Sequence, residues 1–561
     1  MRFIRTNGAS ISRLLKDEWT FVALVAGAVL LITTVPYVYG YLSTPSDTRF
    51  MGIMLDVPDT AQYLSWMRES EHHVLITNRL TPEPNAAVFF NLLWFVLGRT
   101  CALTGLSTTT VYQGFRVVAG VFFLAVAYWF CSLALESKRQ RITAFLLITL
   151  GSGLGWTLVI QKQLTGQLSH PLDIYVAEPN SFLSILAYPH LILSAALMLL
   201  VFSFYALAQE RRQTKLAIYA ALAALVLGLE HAYDLIVVYV VLGALAGLLG
   251  FRDGLRWRPV RDLGIVTSMS SPPALYFLYI TQTTPVWHEV LNQYGNAGVF
   301  TPDPLHLAIL LGLPFLLALL TVPGFRRIKG LGERELLVRS WFFCGFFLIY
   351  LPVGFQIKML TGWQVPIGIL ATTALFRHAK PVGEWLAAFG SRWRVARSVT
   401  QRCKSGQLVI VALVVAALPT NAYLVAWRFV DLQRHSYPYY LSTDEVRAIQ
   451  WLQDNSGPDD VVLSSLTIGQ YLPALSGNRA FLAHWAQTLA FYKKQDMVSA
   501  FFARDTPDET RLKIITEYNV RYVYYGKDEG TVWTNGPCAA PFLEEVFSSR
   551  SASICRVKEA A

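Results

Sequence analysis

The chain has 561 residues, a formal net charge of +10, and a composition that is 54% hydrophobic and only 15% charged. This composition excludes an ordinary soluble globular protein. Apolar runs long enough to cross the roughly 30 Å hydrocarbon layer of a bilayer recur along the sequence. The sequence therefore predicts a polytopic α-helical membrane protein.

Eleven membrane spans are predicted from these apolar runs. They cover residues 20–42, 111–134, 142–160, 190–208, 216–230, 235–250, 263–280, 304–323, 340–355, 363–376 and 407–427. The first run follows a basic amino-terminal segment, but it is too long for a signal peptide and lacks a good cleavage site. We therefore expect it to be retained as the first span.

Lysine and arginine residues indicate the orientation of the spans, because short cytoplasmic loops are rich in both. With a cytoplasmic amino terminus and alternating spans, the basic segments fall on the cytoplasmic side. These segments are 2–16, 138–141, 211–215, 252–261, 326–339 and 377–404. The asymmetry accounts for the positive charge without any nucleic-acid partner. We expect a multi-pass protein of the plasma (inner) membrane whose carboxy-terminal domain is extracytoplasmic.

Residues 86–104 are also apolar, but a span there would move every later basic segment to the outer side. We therefore predict that they form a re-entrant or interfacial helix within an outer loop, residues 43–110. Backbone of this kind is tolerated at membrane depth only where protein or a water-filled cavity satisfies it.

The last part of the chain, residues 428–561, has shorter apolar runs and more charge than the membrane domain, residues 1–427. Strands are predicted at 461–465, 480–483 and 521–525, with helices opening at Ser442 and Thr506. Alternating helices and strands indicate a small α/β domain. Cys538 and Cys555 are its two cysteines and are candidates for a disulfide. The other four, Cys101, Cys131, Cys344 and Cys403, are expected to be buried hydrophobic residues.

Several enzyme classes lose their best support because their motifs are absent. The sequence contains no CxxC, HExxH, glycine-rich phosphate loop or GxSxG motif. Metalloprotease, nucleotide hydrolase and esterase activities are therefore not indicated.

The stretch Asp56–Tyr63, continuing to Asn78–Asn85, is the polar segment where chemistry is most expected. Its carboxylates cluster next to the membrane, and three prolines stiffen it. A solvated connector between two spans is the alternative interpretation.

Further ionisable residues occur at the ends of later spans. Because placing a charged side chain within the membrane costs free energy, such residues are expected to face a cavity or to pair with one another. They include Glu178, Glu230, His231, Asp234 and Lys358. A structural network that braces a helix pair is the alternative for the 230–234 group. For Lys358, the alternative interpretation is an ordinary lysine at the membrane interface.

This layout resembles the GT-C superfamily of integral-membrane glycosyltransferases, and the order of its parts is similar to the protein mannosyltransferase and aminoarabinose transferase branch. Asp56-Val-Pro-Asp59-Thr-Ala-Gln-Tyr63 matches the acidic loop after the first span of that family. Thr81-Pro82-Glu83-Pro84 resembles the turn that leads into its juxtamembrane helix. The Asp-x-x-Asp spacing differs both from the Asp-x-Asp of metal-dependent members and from the Asp-Glu of some metal-free ones. Whether Asp56 and Asp59 bind a divalent metal, Mg²⁺ or Mn²⁺, is therefore left open.

The resemblance implies transfer of a sugar from a polyprenyl-phosphate-linked donor to a hydroxyl group of a glycan, lipid or protein acceptor. Asp56 is then the expected general base, with Asp59 as assistant, alternative base or metal ligand. Candidates to stabilise the leaving phosphate are Lys358, His231 and Arg79. Candidates to hold sugar hydroxyls are Glu83, Glu178 and Asp234, and candidates to stack on a sugar ring are Trp363 and Tyr63.

Two other functions are compatible with a polytopic protein of this kind. One is a transporter or flippase of lipid-linked sugars, which should show internal repeats and paired broken spans. The sequence shows no such symmetry. The other is a non-catalytic scaffold with the GT-C fold. The substitution Asp56→Asn would distinguish this hypothesis from that of an enzyme.

Overall fold

The structure is a computed structural model that describes residues 8–166, 172–254, 256–297, 300–322, 328–390, 402, 406–530 and 538–558. Cys403 and parts of the basic segments 2–16, 326–339 and 377–404 lie outside these ranges. The chain forms two compact units. The helical unit comprises Met1–Val35, Arg116–Ala274 and Phe300–Trp427, and the mixed unit comprises Pro36–Phe115, Leu275–Val299 and Arg428–Ala561. The predicted division into domains 1–427 and 428–561 stays a prediction.

Helices dominate the chain up to residue 432. In order they are α1 (Gly8–Leu42), α2 (Val57–Ser70), α3 (Leu92–Thr104), α4 (Thr108–Ala134), α5 (Lys138–Leu150), α6 (Gly155–Thr165), α7 (Leu172–Tyr175), α8 (Ser181–Ala187), α9 (Pro189–Arg211), α10 (Thr214–Glu230), α11 (Asp234–Asp253), α12 (Trp257–Thr283), α13 (Pro285–Asn292), α14 (Pro304–Leu319), α15 (Glu333–Leu348), α16 (Gln364–Gly390), α17 (Gln407–Ala416) and α18 (Pro419–Leu432). Short 3₁₀ helices cover Gln293–Ala297 and Gln356–Leu360.

Within the described ranges, six helices are long and apolar enough to cross a membrane. They are Glu18–Leu42, Thr108–Ala134, Pro189–Arg211, Asp234–Asp253, Trp257–Thr283 and Gln407–Leu432. The pair α5 and α6, bent by 42°, adds a seventh candidate if it is one broken span. These helices support a membrane protein, while the count of eleven spans stays a prediction.

Helix α3 falls in the segment predicted to be non-spanning. Its 13 residues correspond to roughly 20 Å of helix, which is less than the hydrocarbon layer requires. Asn91 caps it by accepting hydrogen bonds from the backbone N–H groups of Leu93 and Trp94. The helix packs against α2 within the mixed unit. Its length is thus consistent with a re-entrant or interfacial helix.

One glycine allows a close approach inside the helical unit. Gly312 interrupts α14 with φ of 68° and ψ of −159°. A Cβ atom there would lie 2.5 Å from the carbonyl oxygen of Ser152. Only glycine combines this backbone conformation with that contact, so the predicted span 304–323 is broken at this point.

The carboxy-terminal part of the mixed unit is built on a five-stranded sheet. Its strands and helices in order are β2 (Tyr440–Ser442), α19 (Thr443–Asn455), β3 (Val461–Leu463), α20 (Leu466–Gly469), α21 (Leu472–Leu475), β4 (Arg479–Ala480), α22 (Phe491–Phe502), α23 (Asp508–Glu517), β5 (Val520–Tyr525), α24 (Lys527–Gly530), β6 (Leu543–Ser548) and β7 (Ser553–Val557). The strand order is β4-β3-β5-β7-β6. Strand β3 is parallel to β4 and β5, whereas β7 is antiparallel to β5 and β6.

The strand predicted at 521–525 is confirmed as β5. The strand predicted at 461–465 is confirmed as β3, but it ends at Leu463. The strand predicted at 480–483 is wrong in its extent, because β4 ends at Ala480. The helix predicted to open at Ser442 is confirmed. Ser442 Oγ accepts the backbone N–H of Glu445, and the Glu445 carboxylate accepts the backbone N–H of Ser442. This reciprocal capping box fixes the first turn of α19.

A disulfide joins Cys538 to Cys555 in β7, with Cα atoms 5.5 Å apart. Among the other cysteines, Cys101 and Cys131 are buried, and Cys344 is half-buried.

Two parts of the segment 43–110 are attached to carboxy-terminal residues of the mixed unit. Strand β1 (Thr48–Phe50) pairs antiparallel with β2. Further along, the backbone N–H of Ala480 donates to the carbonyl of Arg79 at 2.9 Å. The side chain of Arg479 donates to the carbonyls of Asn78 and Glu83. The segment 78–83 therefore lies along the edge of strand β4.

An ion pair anchors this segment to helix α22. The ammonium of Lys494 lies 2.5 Å from Glu83 Oε1 and also donates to the carbonyl of Leu489. The Lys494 side chain is fully buried, whereas that of Glu83 is 31% exposed. Burial lowers the pKa of Lys494, and the neighbouring Glu83 carboxylate opposes this shift.

We expect the substitution Glu83→Gln to destabilise the mixed unit, because a buried ammonium would lose its carboxylate. The expected loss is about 2–3 kcal/mol, below the value for a fully buried pair since Glu83 is partly exposed. Thermal unfolding of the purified protein measures it.

The pH dependence follows from the same pair. Without Glu83 the pKa of folded Lys494 falls further, so the unfolded chain binds this proton more tightly than the folded one. The stability of the variant should then rise as the pH increases from the lowered pKa towards the ordinary value of lysine. The exposed Glu545 in β6 provides the control Glu545→Gln. Equal melting temperatures for both variants would contradict the expectation.

Candidate functional site

Asp56 precedes α2 in a strained backbone conformation. Its φ of 45° and ψ of 64° are left-handed, a region in which aspartate is one of the few tolerated side chains. Its carboxylate is exposed and makes no capping hydrogen bond to its own helix. Non-glycine residues in this conformation cost on the order of 1–3 kcal/mol and concentrate at functional sites. Asp56 is therefore a candidate for chemistry rather than for helix capping.

Asp59, in the first turn of α2, is fixed by a histidine from the carboxy-terminal part of the chain. Asp59 Oδ1 lies 2.8 Å from His484 Nε2. The other ring nitrogen, Nδ1, accepts the backbone N–H groups of Ala486 and Gln487 at 3.0 and 3.2 Å. Because Nδ1 accepts two hydrogen bonds, the ring proton lies on Nε2 and is donated to Asp59. The His484 side chain is only 2% exposed, whereas that of Asp59 is 19% exposed, so a buried histidine orients a carboxylate that keeps some contact with solvent.

Residues 484–489 form the clasp segment, which makes hydrogen bonds with Leu80, Asn78 and Gln293. Thr488 donates from Oγ1 to the carbonyl of Leu80 at 2.6 Å. The side-chain amide of Asn78 donates to the carbonyl of Gln487 at 2.9 Å. Gln293 donates from Nε2 to the carbonyls of Ala486 and Thr488. The position of His484 is thus determined by contacts with two separate parts of the mixed unit in addition to its own loop.

Tyr63 lies one helical turn beyond Asp59, with its ring stacked on that of Trp94 at a centroid distance of 4.6 Å. The residue is 9% exposed. Burial raises its pKa well above the ordinary value, and the carboxylates of Asp59 and Asp56 add to the rise. The phenol is therefore protonated. A buried ring already stacked on Trp94 argues against the predicted role of Tyr63 in stacking on a sugar.

Arg79 and Glu83, predicted to bind phosphate and sugar, both make contacts within the protein. Arg79 pairs with Glu69 at 3.2 Å and donates to the carbonyls of Pro458 and Gly477. Glu83 accepts hydrogen bonds from Thr81 and Lys494. Both side chains serve to hold the segment 78–83 in place.

The helical unit gathers a second group of ionisable residues, at the junction of α10 and α11. His231 Nδ1 lies 2.9 Å from Asp234 Oδ2, and Asp234 is fully buried. Glu230 Oε2 accepts a hydrogen bond from Ser194 Oγ at 2.5 Å. The rings of His190 and His231 have centroids 6.1 Å apart. Glu230, His231 and Asp234, which were noted from the sequence, therefore form one cluster together with His190.

Lys358 lies next to this cluster in the helical unit. Its ammonium is 2.8 Å from Glu178 Oε1, and the two side chains are 21% and 7% exposed. The ring of Phe355, in the same segment, contacts that of Tyr233 at 4.6 Å. The structure thus brings Glu178, His231, Asp234 and Lys358 into one region.

Trp363, predicted to stack on a sugar ring, lies in surroundings that argue against that role. Its side chain is fully buried, and its indole N–H donates to the carbonyl of Phe342. The ring packs against Phe346 at 5.1 Å, and a Cβ on Gly345 would collide with it. Trp363 is a core residue of the helical unit.

His484 is the candidate that sequence reasoning missed. A signal was available, because His484 follows closely after the short strand β4. In a sheet with parallel strands, residues just beyond the carboxyl ends of the strands frequently form binding sites. Its pairing with Asp59 could not be predicted from the local sequence, because Asp59 lies more than 400 positions earlier in the chain.

A divalent metal would need donors beyond the two loop carboxylates. Across the described residues, no group of three or more His, Cys, Asp or Glu side chains is arranged to hold an ion. Asp59 already directs one oxygen to His484. Within the described part of the chain, the side chains therefore form no metal site of their own. Whether Asp56 and Asp59 bind Mg²⁺ or Mn²⁺ stays open.

Solved structures with a similar fold are membrane glycosyltransferases. An oligosaccharyltransferase from Archaeoglobus fulgidus, tethered with an acceptor peptide containing the NVT sequon, has a TM-score of 0.52 and 13% identity. The match covers 91% of this chain and 69% of that one. AglB from Archaeoglobus fulgidus, in complex with an inhibitory peptide and a dolichol-phosphate, has a TM-score of 0.53 and 12% identity, covering 91% and 70%. The arabinofuranosyltransferase AftD from Mycobacteria has a TM-score of 0.54 and 14% identity, covering 96% of this chain and 40% of that chain.

No protein-family model matches the sequence, and no curated protein matches it. Identities of this size show a common fold alone. The resemblance predicted from the acidic loop and the order of spans is confirmed at that level: the structures to which this chain is similar are GT-C glycosyltransferases.

Proposed function

We propose that this protein is a membrane glycosyltransferase that moves a sugar from a polyprenyl-phosphate-linked donor to a hydroxyl group on the outer face of the membrane. The observation that carries the proposal is Asp56, an exposed carboxylate held in a strained conformation on the fold of such enzymes. A related fold has been solved with dolichol-phosphate, which supports a donor of that lipid class. The basic segments support an extracytoplasmic position for the carboxy-terminal residues.

Asp56 is proposed as the general base. The acceptor oxygen attacks the anomeric carbon and gives its proton to the Asp56 carboxylate. The bond between the anomeric carbon and the phosphate oxygen breaks, and polyprenyl phosphate leaves with its electron pair. A positioned base of this kind typically contributes 10²–10⁴-fold to the rate.

Asp59 is proposed as the assistant of Asp56. His484 donates a hydrogen bond from its ring N–H to Asp59, which fixes this carboxylate at the start of α2. No step of the mechanism passes through a metal ion.

Lys358 is proposed to stabilise the leaving phosphate. Glu178 fixes its ammonium in a partly buried site, where a positive charge acts more strongly on a developing anion than it does in water. His231 is the second candidate, oriented by Asp234. Arg79, already paired with Glu69 and with backbone carbonyls, is the weakest of the three predicted cations for this role. Glu178 and Asp234 then act by positioning these cations rather than by holding sugar hydroxyls.

The substitution Asp56→Asn should lower kcat by about 10²–10⁴-fold and change the KM for the donor by less than about threefold. Asparagine tolerates the left-handed backbone and has the same size, so folding should be preserved. The assay uses purified protein in nanodiscs with a panel of polyprenyl-phosphate sugars and measures release of polyprenyl phosphate.

The matched control is Asp47→Asn, which changes an exposed carboxylate of the same loop. It should leave the rate unchanged. An Asp56→Asn protein with more than a tenth of the wild-type rate would remove Asp56 as the base. Absence of transfer from every donor by the wild-type protein would overturn the proposed function itself.

The substitution Lys358→Met should raise the donor KM and lower kcat/KM by about 10²-fold, because the phosphate loses its positive charge. The double variant with Glu178→Gln leaves no unpaired buried carboxylate, so it separates loss of catalysis from loss of folding. Lys162→Met, at an exposed position of α6, is the control. An unchanged donor KM in both Lys358 variants would assign Lys358 to structure alone.

A further inference from the structure

Trp485 is a half-buried aromatic residue beside the pair formed by Asp59 and His484. Its ring centroid lies 4.8 Å from that of His484, with the planes tilted by 32°. Tyr294, also half-buried, meets it edge-on at 5.9 Å and 86°. Since His484 contacts Asp59 directly, the indole lies one side chain away from that carboxylate.

The position of Trp485 is fixed before any ligand binds. Its carbonyl accepts a hydrogen bond from the Asn296 side chain at 3.0 Å, and the next carbonyl, that of Ala486, accepts one from Gln293. Part of its side chain packs against the core of the five-stranded sheet. A binding group held in this way loses little conformational entropy when a ligand arrives.

A sugar ring is the ligand that these groups suit. Its C–H face is apolar and packs on an aromatic ring, while its hydroxyl rim hydrogen-bonds to carboxylates. Sites for small ligands commonly combine aromatic surface with a few polar groups of fixed geometry. Tyr63 is buried against Trp94 and Trp363 is fully buried, whereas Trp485 and Tyr294 both retain exposed surface.

We propose that Trp485, with Tyr294 at its edge, forms a platform that binds the ring of a pyranose or furanose next to Asp59. The inference rests on the proposed function for the source of the sugar, which is either the donor or the acceptor. Binding of a sugar by the platform is a separate property that can be measured without transfer.

The experiment compares Trp485→Leu with Trp485→Phe. Leucine removes the aromatic face, whereas phenylalanine keeps one. Saturation-transfer NMR of the purified protein with methyl pyranosides and methyl furanosides should show a signal for wild type and Trp485→Phe, and its loss for Trp485→Leu. In transfer assays, Trp485→Leu should raise one KM about tenfold with kcat within about threefold. A raised donor KM assigns the ring to the donor, and a raised acceptor KM assigns it to the acceptor.

The matched control is Trp451→Leu, since Trp451 is another half-buried tryptophan of the mixed unit, edge-on to Tyr522 at 6.1 Å. It should change neither the NMR signal nor either KM. The platform is overturned if Trp485→Leu keeps the wild-type signal and both KM values, or if Trp485→Phe is impaired as much as Trp485→Leu. Sugar binding that disappears in Trp485→Leu while wild type transfers no sugar would uphold the platform and refute the proposed function.

Discussion

The hydrogen bond between Asp59 and His484 is the interaction on which the candidate site depends. It joins the first turn of α2 to the clasp segment, although these two parts are separated by more than 400 residues of sequence. Two backbone N–H groups occupy the other nitrogen of the imidazole, so the ring has one tautomer and one orientation. A neutral histidine used in this way is a rigid donor, and it orients a carboxylate without adding a charge to the site.

The surrounding contacts explain why this bond keeps its geometry. The segment 78–83 lies along β4, Lys494 fixes Glu83, and Gln293 and Asn296 hold the clasp segment through its carbonyl groups. Backbone strain at Asp56 persists only where neighbouring structure determines the conformation from several sides. The same contacts preorganise Asp59 and Trp485, and preorganisation is the contribution that a protein makes most effectively to charge stabilisation in a reaction.

The sequence predicted the features that local pattern controls. Apolar length marked the helices now seen near each predicted span, and the capping box at Ser442 marked the start of α19. The strands β6 and β7 were not predicted, because β6 has the polar sequence LEEVFS, in which three of the six residues are exposed. It obtains its place in the sheet from pairing with β7. Pairing between strands produces little recognisable pattern in the sequence of either strand alone.

The candidate residues also divide into those that the sequence pattern identified and those whose roles depend on tertiary contacts. Asp56 and Asp59 were identified from their position in the acidic loop, and Lys358, His231 and Asp234 from the cost of charge near a membrane. Arg79, Glu83 and Trp363 carry the right chemical groups, but their partners, Glu69, Lys494 and the ring of Phe346, are set by tertiary packing. His484 was missed for the same physical reason, since its role exists only through a contact across the fold.

A double-mutant cycle on the transfer rate tests the central claim most directly. The variants are Asp59→Asn, His484→Phe and their combination, each measured in nanodiscs with a polyprenyl-phosphate sugar that the wild type uses. If His484 acts through Asp59, the double variant should be about as slow as the slower single variant, because either change breaks the same bond. Losses that simply multiply in the double variant would show that the two residues act independently, and would contradict the account.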